Sequence, residues 1–288
     1  MEHVFLGMIY ISSCCSKNDD IIESIEFIAK NGFKNIELTG GSLYQDDLTK
    51  KLLALKDKYH LRYLLHNYFP PPKNNFIINS ADKFTINDLK IFLKNSIELS
   101  KILKAKFYAI HAGFLIKIIN FNSISNHDFV NNEKSRRNGY KIMSNIYDYL
   151  NDISKGEVKI YFENNVLSKK NYLNFNNKNP FLLCCLDDYI EMYDYFKFNI
   201  LLDLAHLKVS CATLNKDFKT EALTLIDKTN YLHISGNNNY EDSCFSIKND
   251  PEIISLLNES DFSNKTITLE VYSGIKDVKE SYNLISNN

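Results

Sequence analysis

The residues best suited to chemistry sit at the ends of short apolar runs. Phe198 to His206 reads Phe-Asn-Ile-Leu-Leu-Asp-Leu-Ala-His, so a run with the composition of a buried strand ends at Asp203, and an imidazole follows three residues later. A carboxylate in such a place is costly unless a cation or hydrogen-bond donors meet it. Taken singly, the pair also fits an Asp that caps the next turn beside a core histidine. The arrangement recurs along the chain. Ile36-Glu37, Tyr63-Leu-Leu-His66, Phe107 to His111, Val158 to Glu163, Tyr231-Leu-His233 and Thr266 to Glu270 each end an apolar or aromatic run on a group that ligates cations or moves protons.

These groups act together only if the intervening elements bring them to one place. Val4 to Ser12 has strand composition, and Asp19-Asp20 then opens an amphipathic stretch through Lys30 that Asn31-Gly32 closes, an acidic start and a Gly stop suited to a helix. Strand two spans 34–38, helix two runs from Asp46-Asp47 to about Tyr59, and strand three covers 62–67 before Phe69-Pro-Pro-Pro72 ends it. Helix 85–103, strand 106–111, helix 135–153, strand 158–163 and helix 187–196 continue the alternation. Strand 199–203, helix 216–227, strand 230–234, helix 251–258, strand 265–271 and helix 277–285 complete it. Eight strands alternating with eight helices predict a (β/α)8 barrel in which residues 1–288 form one domain, with the polar strand ends gathered at its C-terminal mouth. A doubly wound open sheet is the second choice, but residues 9–16 hold no Gly-rich phosphate turn. Loops 68–84, 114–135 and 164–186 open at the same mouth, where Tyr68, Phe69, Phe114 and Phe121 either cover a pocket or simply pack.

Composition limits the function classes. A hydrophobic content of 44% excludes a disordered chain, and the net charge of −1 gives no global basic field for nucleic acid. Six cysteines, Cys14, Cys15, Cys184, Cys185, Cys211 and Cys244, show no C-x-x-C spacing and read as reduced thiols. With neither a signal segment nor an apolar run of membrane length, the expected compartment is the cytoplasm. Arginine is confined to Arg62, Arg136 and Arg137; the last two form either a solvated helix start or a contact for a substrate phosphate.

Glu163, Asp203, His233 and Glu270 end strands five to eight, neighbours around a barrel, so three carboxylates and an imidazole converge. That set suits one divalent cation, Mn²⁺, Zn²⁺, Co²⁺ or Mg²⁺, without selecting among them. Salt bridges across the mouth are the structural alternative. With Asp203-x-x-His206, the strand-end pattern resembles the xylose isomerase-like barrel superfamily over essentially the whole chain; the superfamily includes sugar isomerases, sugar epimerases and the endonuclease IV family of abasic-site nucleases.

The resemblance implies a carbohydrate isomerase or epimerase in which Glu163 and Glu270 both bind metal and transfer a proton at carbon. Asp203 and His233 then complete the metal set, and His206 donates to a substrate oxygen. His66, His111, Glu37 and Asn238 are the expected substrate contacts, with a core histidine the alternative for the first two and an ion pair with a Lys the alternative for Glu37; Asn238 is included because Gly236-Asn-Asn-Asn239 stands where epimerases carry an Arg beyond the strand-seven His. The partner expected is a small sugar or sugar phosphate, with neither membrane nor nucleic acid, and with homo-oligomerisation left open. The nuclease members instead hold three zinc ions. His66 and His111 match their pattern, but Asp242-Ser-Cys244 has Cys where those enzymes have His. The abasic-site nuclease is therefore the second reading, and a noncatalytic carbohydrate-binding barrel the third.

Overall fold

Alternation of side chains along eight strands organises the molecule, which a computed structural model describes over residues 7–72, 86–115 and 133–287. The strands are β1 (Met8–Ser12), β2 (Asn35–Leu38), β3 (Arg62–His66), β4 (Phe107–His111), β5 (Lys159–Glu163), β6 (Ile200–Asp203), β7 (Tyr231–Ile234) and β8 (Thr266–Leu269). Each pairs in parallel with the next, and β8 returns to β1, so the barrel closes in sequence order and leaves no sheet edge. The predicted (β/α)8 fold is the one observed. Residues 4–6 of the expected first strand, the 73–84 part of the first long loop and Phe121 lie outside the described residues.

Period two splits each strand into two faces. Ile9, Ile11, Ile36, Leu65, Ile110, Phe162, Leu202, Ile234 and Leu269 point outward into the main core beneath the helices. Tyr10, Leu64, Ala109, Tyr161, Leu201 and Tyr231 point inward and fill the barrel with a separate apolar layer. Two residues further along their strands, Ser12, His66, His111, Glu163, Asp203 and His233 again face inward, at the mouth end. The packed layer fills the barrel directly below this polar layer.

The helices around the barrel begin and end where the local chemistry demands. Asp20 caps α1 (Ile21–Lys30) by accepting from the Ile22 and Glu23 amides at 2.7 and 3.2 Å. α2 (Leu48–Tyr59), α3 (Ile86–Leu103) and α4 (Glu133–Ser154) follow β2, β3 and β4. The stretch 164–186, expected to be loop, holds α5 (Lys169–Asn174), capped by Ser168, and leads into α6 (Leu186–Tyr195).

After β6 the expected single helix is two, α7 (Leu204–Leu214) and α8 (Phe218–Ile226). Nearly all of α7 is buried, so it shows no polar face and no helical period in its sequence. α9 (Pro251–Glu259) and α10 (Ile275–Ser286) complete the ring. None of the six cysteines is in a disulfide, and no helix among the described residues is long and apolar enough to cross a membrane.

Candidate metal and active site

The polar layer at the mouth is built by strand ends from around the barrel. Glu163 is fully buried at the end of β5 and is its hub. Its Oε2 lies 2.8 Å from His66 Nε2 and 3.1 Å from His111 Nδ1, while its Oε1 lies 3.2 Å from His233 Nδ1 and 3.7 Å from His206 Nδ1. His233 Nδ1 is also 3.4 Å from Glu270 Oε2 and 3.9 Å from Asp203 Oδ2. The four residues predicted as metal ligands, Glu163, Asp203, His233 and Glu270, therefore share one space, with ligand atoms within 4.8 Å of one another. His66, His111 and Glu163 make a second such group, and Glu37, His66, His233 and Glu270 a third.

Local structure aims these groups. Asp203 ends β6 and caps α7 in one step: its Oδ1 accepts from the His206 amide at 2.7 Å, leaving Oδ2 toward His233 and toward His206 Nε2 at 3.8 Å. Asn164 then fixes the Asp203 backbone, accepting from its amide at 2.7 Å and donating to its carbonyl at 2.9 Å. The Asn164 carbonyl in turn accepts from His206 Nδ1 at 2.9 Å, which leaves His206 Nε2 directed at Asp242 Oδ2, 3.3 Å away. Tyr272 donates to Glu270 Oε1 at 3.3 Å. Sequence reasoning missed Asn164 and Tyr272, although both stand within two residues of a predicted ligand, next to strand ends already singled out.

The loop after β7 is held by a buried ion pair. Lys208 on α7 donates to both oxygens of Asp250 at 2.7 Å, and Asp250 also accepts from the Asn237 amide at 3.1 Å and the Ile253 amide at 3.2 Å. Gly236 pairs in both directions with Phe245 at 3.0 Å; a Cβ there would lie 2.8 Å from the Ser246 carbonyl oxygen, so only glycine lets the loop double back. Cys244, on the same loop, contacts Asp242 at 3.3 Å through its Sγ.

The remaining expected contacts are distributed unevenly. His66 and His111 are on the Glu163 hub, and the His66 ring also meets Thr39 Oγ1 at 3.2 Å. Glu37 is fully buried beneath His233. Asn238 is exposed on the β7 loop, and its Oδ1 accepts from the Tyr240 and Glu241 amides, stabilising the loop's own turn. Phe69 is buried in the main core, Phe114 packs edge-on against Phe181 at 5.3 Å, and Arg136 pairs with Asp188.

Burial and crowding set the electrostatics of the protein alone. Burial opposes ionisation of Glu163, but the His111, His66 and His233 rings outweigh it and hold the carboxyl well below the usual range. Asp203 goes the other way: burial, reinforced by Asp242, Glu163 and Glu270 against the pull of His206, pushes its pKa up to about 7. Burial disfavours charge on His233, yet Glu37, Glu270 and Glu163 raise its pKa well above the ordinary histidine value. Burial similarly opposes charge on His206, and Asp203 and Asp242 overcome it. At His111 burial wins and brings the ring down to about 4.

Whether these residues fit a cation is decided by their unmet valences. Glu163 Oε1, His233 Nδ1 and Nε2, His111 Nδ1 and Glu37 Oε1 are buried without a hydrogen-bond partner, although each has an opposite-character atom near it. Buried polar atoms are seldom left so. Oxygen and imidazole donors converging on one space are the donor set of a divalent cation, and a bound ion satisfies Glu163 Oε1 and His233 Nδ1 at once.

The fold and a profile match define a class: the chain belongs to the xylose isomerase-like TIM barrel family, whose profile matches residues 25–287. A search of curated proteins returns no match. Among solved structures, a D-tagatose 3-epimerase-like protein is similar at 19% identity and a TM-score of 0.68, over 96% of this chain and 95% of that one. The D-allulose 3-epimerase of Methylomonas sp. is similar at 16% identity and a TM-score of 0.64, over 99% of this chain and 91% of that one. An AP endonuclease, family 2, of Brucella melitensis reaches 9% identity and a TM-score of 0.66, over 96% and 97% of the two chains. At these identities the likeness is one of fold.

Proposed function

We propose that the chain is a divalent-cation-dependent isomerase or epimerase of a small sugar or sugar phosphate, with Glu163 and Glu270 moving a proton at a substrate carbon. The observation that carries this reading is the convergence of Glu163, Asp203, His233 and Glu270 within 4.8 Å, with Glu163 Oε1 and His233 Nδ1 buried and unpartnered. A cation held by the four supplies Lewis-acid polarisation of a substrate carbonyl, which acidifies the neighbouring C–H. Removal and return of that proton need two carboxylates bordering one space, and Glu163 and Glu270 both border the space at His233 Nδ1, at 3.2 and 3.4 Å. Glu163 is held well below the usual carboxylate range and Glu270 is also lowered, burial notwithstanding, so both are in the base form near neutrality.

His206 has Nδ1 committed to the Asn164 carbonyl and Nε2 on Asp242 Oδ2 at 3.3 Å, so its donation to a substrate oxygen requires that oxygen to replace Asp242 at Nε2. Similarity to a D-tagatose 3-epimerase-like protein and to a D-allulose 3-epimerase supports a ketose as the first substrate to try. The test is deuterium uptake by NMR at carbons next to the carbonyl, with ketoses and ketose phosphates in D₂O containing Mn²⁺. Wild type is expected to incorporate label, and Glu163→Gln and Glu270→Gln each to lose about 10²–10⁴-fold in rate with the fold intact. Undiminished exchange in both variants rejects the proton-transfer assignment.

A second reading, a multi-ion nuclease of abasic DNA, is favoured by one observation. His66 and His111 both meet Glu163 Oε2, so that carboxylate could bridge two ions. Incision of a duplex carrying a single abasic site, with two or more ions bound per chain, selects it over the isomerase. The net charge of −1 and three arginines weigh against a phosphate-gripping surface.

A further inference from the structure

We infer that Glu37 is a positioning residue: it fixes the tautomer of His233 so that Nδ1, and not Nε2, is the nitrogen free to take a cation. The inference rests on the cation reading above and adds to it the group that prepares one of the ligands.

Glu37 is in β2, fully buried, and each of its oxygens has a different neighbour. Oε2 accepts from the Tyr231 hydroxyl and from Thr268 Oγ1, the latter at 2.9 Å. Oε1 stands 2.8 Å from His233 Nε2, with His66 Nδ1 further off at 3.9 Å. Tyr231 is two residues before His233 on β7, and Thr268 is two residues before Glu270 at the end of β8. One carboxylate is thus tied to the inward residues directly below two of the four proposed ligands, and it braces a third strand against both.

A neutral imidazole carries one N–H and one lone pair, and the partner of one nitrogen decides the state of the other. With the proton on Nε2, the ring offers an N–H to Glu37 and a lone pair at Nδ1 toward Glu163, Glu270 and Asp203. The opposite tautomer sets a lone pair against a buried carboxylate and places a proton where the ion binds. Carboxylate–imidazole–metal arrangements use the first form.

In this ring orientation Glu37 Oε1 and His233 Nε2 are close but off the line of a hydrogen bond, and both lack another partner. The two hydroxyl donors are on Oε2. For Oε1, the imidazole N–H is the compensation within reach, and a buried carboxylate oxygen left without one is costly.

The test uses Zn²⁺ as the probe on the full chain. Glu37→Gln is expected to weaken Zn²⁺ binding about 10–100-fold in a chelator competition, while the unfolding midpoint of the zinc-free protein stays near that of wild type. Thr268→Val, which removes one donor from Oε2 and leaves the carboxylate in place, is expected to weaken binding less. In parallel, ¹⁵N shifts of the His233 ring in zinc-loaded wild type are expected to report a protonated Nε2 and a metal-bound Nδ1; this reading holds even if Glu37→Gln fails to fold. Full affinity in Glu37→Gln, or a ring bound through Nε2 or protonated at Nδ1, overturns the inference and leaves the cation site standing. Failure of wild type to bind Zn²⁺ overturns both.

Discussion

Cation binding at this site should be strongly pH-dependent, because two of the four proposed ligands hold protons that an ion must displace. Burial, with Asp242, Glu163 and Glu270 adding to it, puts the Asp203 carboxyl at about 7, and burial of His233 is outweighed by Glu37 and Glu270, which raise its pKa well above the ordinary value. Each pH unit below a ligand's pKa costs the ion about 1.4 kcal/mol, or tenfold in affinity. Asp203 alone then costs about 50-fold between pH 7, where it is half protonated, and pH 5, and His233 adds a second proton over the same interval. A plot of log affinity against pH is expected to approach a slope of two below pH 7, falling toward one above it as Asp203 becomes ionised without help.

The sign for stability follows from the same shift. Asp203 has a folded-state pKa raised above 3.8, so its contribution to the ion-free protein is present below pH 3.8 and lost as pH rises to about 7. Chelator competition from pH 5 to 8 measures the slope, and calorimetry in buffers of different protonation enthalpy counts the protons released. Asp203→Asn should remove one proton from the count and weaken binding at neutral pH. PH-independent affinity with no proton release, or an unchanged slope in Asp203→Asn, refutes the reasoning.

Two further outcomes are expected. Asp250→Ala leaves the buried Lys208 ammonium with only the half-exposed Glu252 at 3.1 Å, and should cost about 3–5 kcal/mol in denaturant unfolding; a loss below 1 kcal/mol would mean that the β7 loop does not depend on that pair. Ion held at about 1,000 times its dissociation constant stabilises a folded chain by about 4 kcal/mol, so excess EDTA should lower the melting temperature by roughly 8 °C. An unchanged melting temperature would argue against an ion bound to the folded state.

Much of this was legible because the barrel writes its mouth into strand ends. Three of the four proposed ligands face inward two positions beyond a residue of the barrel's apolar layer, Glu163 after Tyr161, Asp203 after Leu201 and His233 after Tyr231. The strand ends could therefore be read one at a time and placed together by the fold. What could not be read depends on contacts between distant segments. The helix α7 is buried over nearly all its length and carries no periodic signal, so the helix that Asp203 caps could not be read from the sequence. Glu37 meets His233, Tyr231 and Thr268 across the barrel interior, and no local pattern encodes those contacts. Asn238 Oδ1 closes its own loop's turn, a role that its place in Gly236-Asn-Asn-Asn239 does not announce.

The most direct test of the central claim is anomalous diffraction at the zinc edge from crystals of the zinc-loaded protein. The expected result is a strong peak about 2.0–2.2 Å from Glu163, Asp203 and Glu270 oxygens and from His233 Nδ1. A mouth without a peak, or an ion that leaves Glu163 and Glu270 unliganded, would contradict it.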